Sequence, residues 1–283
     1  MIDETAEEIR ELQTHSSSVV AVKAARALQE VVDREFATVE EYERALERNS
    51  NALRRANPSH ASLQTTQREI LEAIDEGQPG SVEEAKELTR DAIEKAIKTV
   101  ENAKSEAASN LADRLEDGMT ILTHDYSTTV LQSIEKAIAD GKSLSVFITE
   151  ARPRYLGRKT ARQLASMDNV DPTLVVDSAA GFYLSSIDEV IVGMDCIVND
   201  DLYNRVGTYP IAATASDQDV PFTVVGSSAK IVASGFRFEN DFRAVSEVIR
   251  EPPEGFNVAN PGYDATPVRL IDNIVTDEGV KSP

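Results

Sequence analysis

The chain has 283 residues, of which 41% are hydrophobic, so it can bury a core large enough for one large domain or two modest ones. Its 49 acidic and 29 basic residues give a net charge of −20, which repels nucleic-acid backbones and argues against direct binding of DNA or RNA. No apolar stretch is long enough to cross a membrane, and the acidic start MIDETAEEIREL is unlike a signal peptide.

The cysteine content and the spread of charge indicate the environment of the protein. The single cysteine, Cys196, excludes an internal disulfide and suits the reducing cytoplasm. The acidic residues are spread along the whole chain and arginines outnumber lysines, a composition that suits a high-salt cytoplasm because salt screens the self-repulsion. We therefore expect a cytoplasmic protein from a halophile, with an ordinary acidic protein as the alternative.

The first part of the chain, residues 1–115, has the pattern of a helical domain. Apolar residues recur at helical spacing, and Ser16-Ser17-Ser18 offers a polar start for a helix that runs to about Val32. Prolines and glycines break the pattern near residues 57–59 and 78–81. The further predicted helices are 39–55, 62–77 and 82–115, the last of which begins with a capping box, Ser81-Val82-Glu83-Glu84.

After Gly118 the pattern changes to short β-branched runs that are separated by helix-length stretches. Strands that alternate with helices are typical of a mostly parallel sheet. We therefore predict an α/β fold in which a helical N-terminal domain, residues 1–115, packs on a mostly parallel-sheet C-terminal domain, residues 117–283. The predicted strands are 120–122, 144–148, 174–176, 190–192, 222–225 and 270–274.

Four of the predicted strands end in elbows that carry polar residues. Because the carboxyl ends of parallel strands lie at one edge of a sheet, these elbows are expected to converge on one pocket. Arg152, Arg154 and Lys230 would make that pocket basic in an acidic protein, which indicates an anionic ligand such as a phosphate. Pairing of each arginine with a surface carboxylate is the alternative. The elbows are residues 123–127, 149–157, 193–197 and 226–230.

Two acidic residues stand directly after predicted strands. Asp195 follows an apolar strand and is a candidate general acid or base, or a contact for a ligand hydroxyl, with a helix cap as the alternative. Asp125 lies in the elbow Thr123-His124-Asp125-Tyr126-Ser127, ahead of a predicted helix. An acid is unexpected there, because a helix N-terminus at the edge of a parallel sheet is a natural anion site.

The common signatures of metal and cofactor sites are absent from the sequence. His15, His60 and His124 are scattered without metal-ligand spacing, so no metal site is expected. No GxGxxG, P-loop or nucleophile-elbow motif is present, and we expect no cofactor. Cys196 is interpreted as a buried, inert thiol.

Several short stretches, taken in order, resemble one protein family over nearly the whole chain. This family contains the alpha, beta and delta regulatory subunits of translation initiation factor 2B, archaeal ribose-1,5-bisphosphate isomerase and methylthioribose-1-phosphate isomerase. The resemblance implies a Rossmann-like C-terminal domain of the NagB/RpiA/CoA-transferase type, a ligand pocket between the two domains, a homodimer or larger oligomer that could include related subunits, and a halophilic archaeon as the source. The matching stretches are SSSVVAV (16–22), NPSHASL (57–63), ILTH (121–124), EARP (150–153) with Gly157, GMD (193–195), NRVGT (204–208) and LIDNIVTDEG (270–279).

The resemblance also implies which residues of this chain form the site, although several positions differ from those of the isomerases. The isomerases of the family use a Cys directly after the Thr-His of the first elbow and an Asp after the Gly of the third. The Asp carries over to Asp195, whereas Asp125 stands in place of the Cys. An Asn-Lys pair of the isomerases corresponds to Asn204-Arg205, an arginine is replaced by Asn57, and Lys230 matches a ligand-contacting lysine.

The sequence leaves two main hypotheses for the function, and a purely structural subunit is a third. The departures favour a noncatalytic regulatory protein that binds a phosphorylated metabolite, a sugar phosphate or a nucleotide, with Asp125 as a helix cap. The alternative is a sugar-phosphate aldose–ketose isomerase of the ribose-1,5-bisphosphate type, with Asp125 as base and Asp195 as its acid partner. The predicted ligand-binding residues are Arg152, Asn204, Arg205, Lys230 and Ser127.

Overall fold

The computed structural model describes residues 2–11, 16–232, 238–251 and 254–283. The chain divides into two compact units, Met1–Ala103 and Lys104–Pro283. The division lies inside a long helix, Val82–Arg114. The domain boundary at residues 115–117 stays a prediction. His15 lies outside the described residues.

The first unit is helical, and the predicted helices are confirmed with small shifts. The expected helix up to Val32 is divided at Leu28 into two helices, and the helices predicted at 39–55, 62–77 and 82–115 are found within one residue of those positions. The helix Ile2–Arg10 was not predicted. The helices are α1 (Ile2–Arg10), α2 (Ser17–Ala27), α3 (Gln29–Val32), α4 (Val39–Ala56), α5 (Ala61–Gly77) and α6 (Val82–Arg114).

The core of this unit combines aliphatic packing with buried hydrogen bonds. Tyr42 of α4 is fully buried, and its hydroxyl donates a hydrogen bond of 2.7 Å to Thr89 Oγ1 of α6. The predicted cap of α6 is present, since Ser81 Oγ accepts a hydrogen bond from the Glu84 N–H at 3.2 Å. The Glu84 carboxylate in turn accepts one from the Gly80 N–H at 2.8 Å, so both side chains fix the start of the helix.

The second unit contains a seven-stranded sheet in the order β10-β9-β7-β4-β1-β2-β3. All neighbouring strands pair in parallel except β10, which runs antiparallel to β9. The predicted mostly parallel sheet is therefore confirmed. The strands are β1 (Thr120–His124), β2 (Leu144–Thr149), β3 (Val170–Val175), β4 (Glu189–Gly193), β7 (Phe222–Val225), β9 (Asn273–Thr276) and β10 (Gly279–Lys281).

The sheet is buried on both faces, which explains its continuous apolar strands. Neighbouring residues of β1 face opposite cores, since Ile121 belongs to one apolar cluster and Leu122 to another. In β4, Ile191 belongs to the Ile121 cluster, and Val190 to the Leu122 cluster. The helices of this unit are α7 (Thr128–Ala139), α8 (Leu156–Leu164), α9 (Ala180–Tyr183) and α10 (Thr208–Asp217).

A second, antiparallel sheet of three strands was not expected from the sequence. It consists of β5 (Cys196–Val198), β6 (Asp201–Arg205) and β8 (Tyr263–Pro267), in the order β5-β6-β8. In the sequence, the polar segment 204–208 predicts the start of a helix that runs to about Ser216. That start is wrong, because Asn204 and Arg205 pair with β8 and the helix begins at Thr208. Short, polar strands lack the β-branched runs by which the others were found.

Two other strands differ from their predicted positions. β3 begins at Val170, four residues before the predicted run, and includes Pro172. Proline is tolerated because β3 is an edge strand, where one side makes no ladder hydrogen bonds. β9 begins at Asn273 instead of residue 270.

Gly157 in α8 gives a stability prediction that opposes helix propensity. Alanine normally stabilises a helix by up to about 1 kcal/mol relative to glycine. However, a Cβ at Gly157 would lie 1.8 Å from the backbone oxygen of Thr149. We expect Gly157→Ala to lower the free energy of unfolding by about 3 kcal/mol or more, measured by urea denaturation. Gly80→Ala is the control, because its Cβ would make only a 3.6 Å contact. Equal stability of both variants would contradict the prediction.

Candidate functional site

The four predicted elbows lie at one edge of the seven-stranded sheet, as expected. β1, β2, β4 and β7 are mutually parallel, and the last residues of neighbouring strands pair with each other. His124 at the end of β1 is opposite Thr149 of β2, and Gly193 of β4 is opposite Val225 of β7. The residues that follow these strands therefore share the carboxyl edge, where open α/β sheets bind ligands.

Asp125 directly follows β1 and has a left-handed backbone with φ of 64°. Aspartate is among the few non-glycine residues that tolerate this region. Its backbone oxygen accepts a hydrogen bond of 2.7 Å from Thr160 Oγ1, which ties the elbow to α8. The Asp125 side chain is 8% exposed, so its carboxylate is a buried acid rather than a solvated one.

Asp125 is not the cap of the following helix, contrary to one interpretation of the sequence. The N-cap of α7 is Ser127, whose Oγ accepts a hydrogen bond from the Val130 N–H at 3.3 Å. Gly193 leaves room for this serine, since a Cβ on that glycine would lie 2.5 Å from Ser127 Oγ. The carboxylate of Asp125 therefore has another partner.

That partner is Arg205, which the structure places between the two candidate acids. Its Nε lies 3.3 Å from Asp125 Oδ2 and 3.7 Å from Asp195 Oδ2. The three side chains are 8–12% exposed. The guanidinium also lies over the ring of Tyr263 at 4.8 Å. One cation thus brings together the predicted acids of two separate elbows.

Burial and neighbouring charges shift the pKa values of Asp125 and Arg205 in opposite directions. Burial raises the pKa of the Asp125 carboxyl above its usual range, and the charge of Arg205 opposes the rise only in part. Burial disfavours the charge of Arg205, but Tyr263, Asp195 and Asp125 offset it, so the pKa of Arg205 is raised. The guanidinium stays charged, whereas the Asp125 carboxyl holds a proton more readily than an exposed aspartate does.

Lys230 lies close to the third elbow. It is buried, and its Nζ donates a hydrogen bond of 2.8 Å to the backbone oxygen of Met194, the residue before Asp195. Burial lowers the pKa of Lys230, and the nearby charge of Asp195 acts against that shift. The predicted lysine and carboxylate are thus neighbours.

Three further predicted ligand-binding residues make hydrogen bonds to groups other than Asp125 and Asp195: Arg152, Asn204 and Ser127. Arg152 is exposed, and its Nη2 donates to the Val248 oxygen at 3.4 Å. Asn204 Nδ2 donates to Thr208 Oγ1 at 3.1 Å, and Ser127 caps α7. The predicted ligand roles of these residues stay predictions.

A concave pocket adjoins Asp125 and Arg205. Its cavity volume is about 30 Å³. That is room for water molecules rather than for a whole sugar, since small-molecule pockets are typically about 300–1,000 Å³. All its lining residues belong to the second unit: Asp125, Ala151, Arg152, Pro153, Arg154, Leu156, Arg205, Val206, Arg243, Asn260, Pro261 and Gly262.

The sequence did not identify two residues that shape this edge. His124 lies between the elbows, with Nδ1 2.6 Å from Thr149 Oγ1 and Nε2 2.9 Å from the Val206 oxygen. Arg243 lies in an irregular segment where no strand pattern assigned it to the sheet edge. Cys196 is buried, as expected. Burial and, to a lesser extent, the charge of Asp195 raise the pKa of its thiol to about 12, which disfavours the reactive thiolate.

The N-terminus of α10 is already occupied by a carboxylate of the protein. Asp264 Oδ2 accepts hydrogen bonds from the N–H groups of Gly207 at 2.6 Å and Tyr209 at 3.1 Å. These N–H groups would otherwise be an anion site. A phosphate in this pocket would therefore be bound chiefly by arginine side chains.

The described ranges contain no group of three or more His, Cys, Asp or Glu side chains placed to hold a metal ion. Within the same ranges, no helix combines the length and the apolar character that crossing a membrane requires.

The fold and the pocket define an α/β protein with a pocket lined by arginines at the carboxyl edge of a parallel sheet. A family model described as "Initiation factor 2 subunit family" matches residues 13–283, and the chain belongs to this family. The resemblance inferred from the sequence motifs is therefore confirmed.

Similar proteins include both enzymes and initiation factors. Ribose 1,5-bisphosphate isomerase of Methanocaldococcus jannaschii is 33% identical over 292 residues, which cover 100% of this chain and 92% of the relative. The crystal structure of translation initiation factor eIF-2B from Pyrococcus horikoshii OT3 has a TM-score of 0.86 at 25% identity and covers 100% and 97% of the two chains. That of 5-methylthioribose 1-phosphate isomerase from the same organism has a TM-score of 0.83 at 25% identity and covers 100% and 84%.

These similarities support the isomerase alternative better than the regulatory function that the sequence favoured. The oligomer, the cytoplasmic location, the halophilic source and a pocket between two domains stay predictions.

The raised pKa of Asp125 predicts how its replacement affects stability. A carboxyl with a raised pKa stabilises the fold fully below its unfolded-state pKa and loses that contribution as pH rises through the folded-state value. Asp125→Asn removes the ionisable group, so we expect it to be more stable than the unmodified protein at neutral pH. The difference should shrink as the pH falls through the folded-state pKa, measured by urea unfolding at several pH values.

The matched control is Asp217→Asn, because Asp217 is exposed and a surface substitution of this kind usually changes stability by less than about 0.5 kcal/mol. An Asp125→Asn protein that is less stable than the unmodified protein at neutral pH would refute the prediction.

Proposed function

We propose that the protein is an aldose–ketose isomerase that acts on a sugar phosphate of the ribose-1,5-bisphosphate type. The observation that carries the proposal is the pair of buried carboxylates, Asp125 and Asp195, on either side of Arg205 beside a basic pocket. The relative named ribose 1,5-bisphosphate isomerase, similar over the full chain, supports this substrate class.

The basic side chains at the sheet edge supply phosphate binding. Arg205 and Arg152 line the pocket, and Lys230 lies beside Asp195. Guanidinium groups form charge-assisted, often bidentate hydrogen bonds with phosphate oxygens. In a protein of net charge −20, such a local excess of cations is needed to attract a phosphorylated sugar.

The two carboxylates supply the acid–base chemistry. Isomerisation of an aldose phosphate moves a proton between C1 and C2 and also needs proton transfer at oxygen. Asp125 is the base, because burial raises its pKa towards the working pH and so strengthens its basicity. Asp195 is its acid partner, and the Arg205 cation between them stabilises negative charge that develops on the sugar oxygens.

A regulatory protein that binds a phosphorylated metabolite without turnover is the second candidate. It is favoured by the contact between Asp125 and Arg205, since a carboxylate held by a cation is a weaker base. The similarity to the structure titled translation initiation factor eIF-2B is compatible with this function. Turnover separates the two candidates.

The first test is an assay of ribulose-1,5-bisphosphate formed from ribose-1,5-bisphosphate. We expect turnover by the unmodified protein, and a loss of about 10²- to 10⁴-fold in kcat for Asp195→Asn, because general acid–base catalysis contributes that much. Asp217→Asn, at an exposed position, should keep full activity. Calorimetric binding of the sugar phosphate without turnover would instead support the regulatory protein.

The second test exploits the cysteine that the resemblance places at position 125. We expect Asp125→Ala to lose about 10²-fold or more in kcat, and Asp125→Cys to regain much of it, since a thiolate can accept the same proton. The same product assay measures both variants. An Asp125→Ala protein with unchanged kcat would remove this residue from the mechanism.

A further inference from the structure

Two arginines in the pocket have buried donors that no described residue satisfies. Arg154 and Arg243 line the same concavity as Asp125 and Arg205. Arg154 Nη1 and Arg243 Nη2 are buried, and neither has a hydrogen-bond partner within the described part of the chain. Buried polar groups are nearly always hydrogen-bonded in native proteins, so unsatisfied donors beside a pocket indicate a missing acceptor.

The carboxylates near these arginines do not fill that role. Arg154 Nε lies 3.6 Å from Glu247 Oε1, and Arg243 Nε lies 3.8 Å from Asp241 Oδ2. Both distances exceed that of a hydrogen bond, and both involve Nε rather than the buried Nη atoms. Among the described residues, these contacts therefore leave Arg154 Nη1 and Arg243 Nη2 without an acceptor.

The side chain of Arg243 is buried and is held in place by its neighbours. Its side chain is 6% exposed, and its backbone N–H donates to the Asn260 oxygen at 2.8 Å. A Cβ on Gly262 would lie 2.8 Å from Arg243 Nε, so the absence of a side chain there makes room for the guanidinium. The ring of Tyr263 lies 6.0 Å from its Cζ.

The excess of positive charge at the pocket favours binding of an anion. Among the described lining residues, four arginines face one carboxylate, that of Asp125, which Arg205 already contacts. Burial lowers the pKa of Arg154, and the adjacent charge of Arg243 lowers it further. A phosphate dianion would relieve this repulsion and accept hydrogen bonds from both guanidinium groups.

We propose that Arg154 and Arg243 together form a subsite for a second phosphate group, so that the pocket selects sugar bisphosphates over sugar monophosphates. This specificity rests on the proposed isomerase function, whereas the binding of phosphate does not. The first phosphate is held near Arg205 and Lys230, at the reacting end of the sugar.

The experiment compares Arg154→Gln and Arg243→Gln with the control Arg162→Gln, which removes a charge at an exposed position of α8. Turnover is measured with ribose-1,5-bisphosphate and with ribose-1-phosphate at constant salt. We expect each of the two pocket variants to lose about 10- to 100-fold in kcat/KM for the bisphosphate, chiefly through KM, and less than about threefold for the monophosphate. Equal losses with both sugars would overturn the proposal.

Calorimetric titration with inorganic phosphate gives a second readout that does not need turnover. The pocket variants should bind inorganic phosphate about 10-fold or more weakly than the control, and Arg154→Lys and Arg243→Lys should recover part of that binding because they keep the charge. If the unmodified protein turns over neither sugar, the isomerase proposal fails, and the titration alone decides the subsite. Unchanged phosphate affinity in correctly folded Arg154→Gln and Arg243→Gln proteins would overturn it.

Discussion

The contact of one guanidinium, that of Arg205, with two buried carboxylates is the interaction on which the candidate site depends. Two uncompensated acids at the end of neighbouring strands would repel each other and any phosphate. Loss of Arg205 would leave buried carboxylates without a counter-ion, which typically costs about 3–5 kcal/mol. Replacement of Asp125, in contrast, leaves Arg205 paired with Asp195. Arg205 therefore makes it possible to keep Asp125 and Asp195 in one pocket of an acidic protein.

The small antiparallel sheet explains how Arg205 reaches that position. Arg205 is the last residue of β6 and pairs with Tyr263 of β8, whose ring also lies against the guanidinium. Asp264, the next residue of β8, occupies the N-terminus of α10. The same strand therefore supports the cation and fills the backbone anion site. Under the proposed function, phosphate would then be bound by arginine side chains.

The large-scale fold followed from the sequence, because long helices and apolar strands buried on both faces have clear periodicity. The convergence of the elbows followed as well, since parallel strands have a common carboxyl edge. The position of Arg205 relative to Asp125 did not follow, because it depends on the pairing of β6, a short strand with two charged residues. Arg243 had no local signal, since its role depends on packing against Gly262, which is distant in sequence.

Asp125 and the phosphate of a bound sugar would compete for the guanidinium of Arg205. The outcome of that competition would decide whether the protein is an enzyme or only binds the sugar. While the guanidinium contacts Asp125, the carboxylate is a weaker base than burial alone would make it. A sugar phosphate whose oxygens accept the donors of Arg205 would weaken that contact. Burial would then raise the basicity of Asp125 at the moment when substrate is present. A second phosphate held by Arg154 and Arg243 would provide binding energy away from the reacting carbons, and such energy can offset the cost of separating the ion pair. Asp125 stands where the resemblance places a cysteine. If Arg154 and Arg243 bind a second phosphate, they would determine whether this exchange abolishes catalysis or only replaces a thiolate base by a carboxylate base.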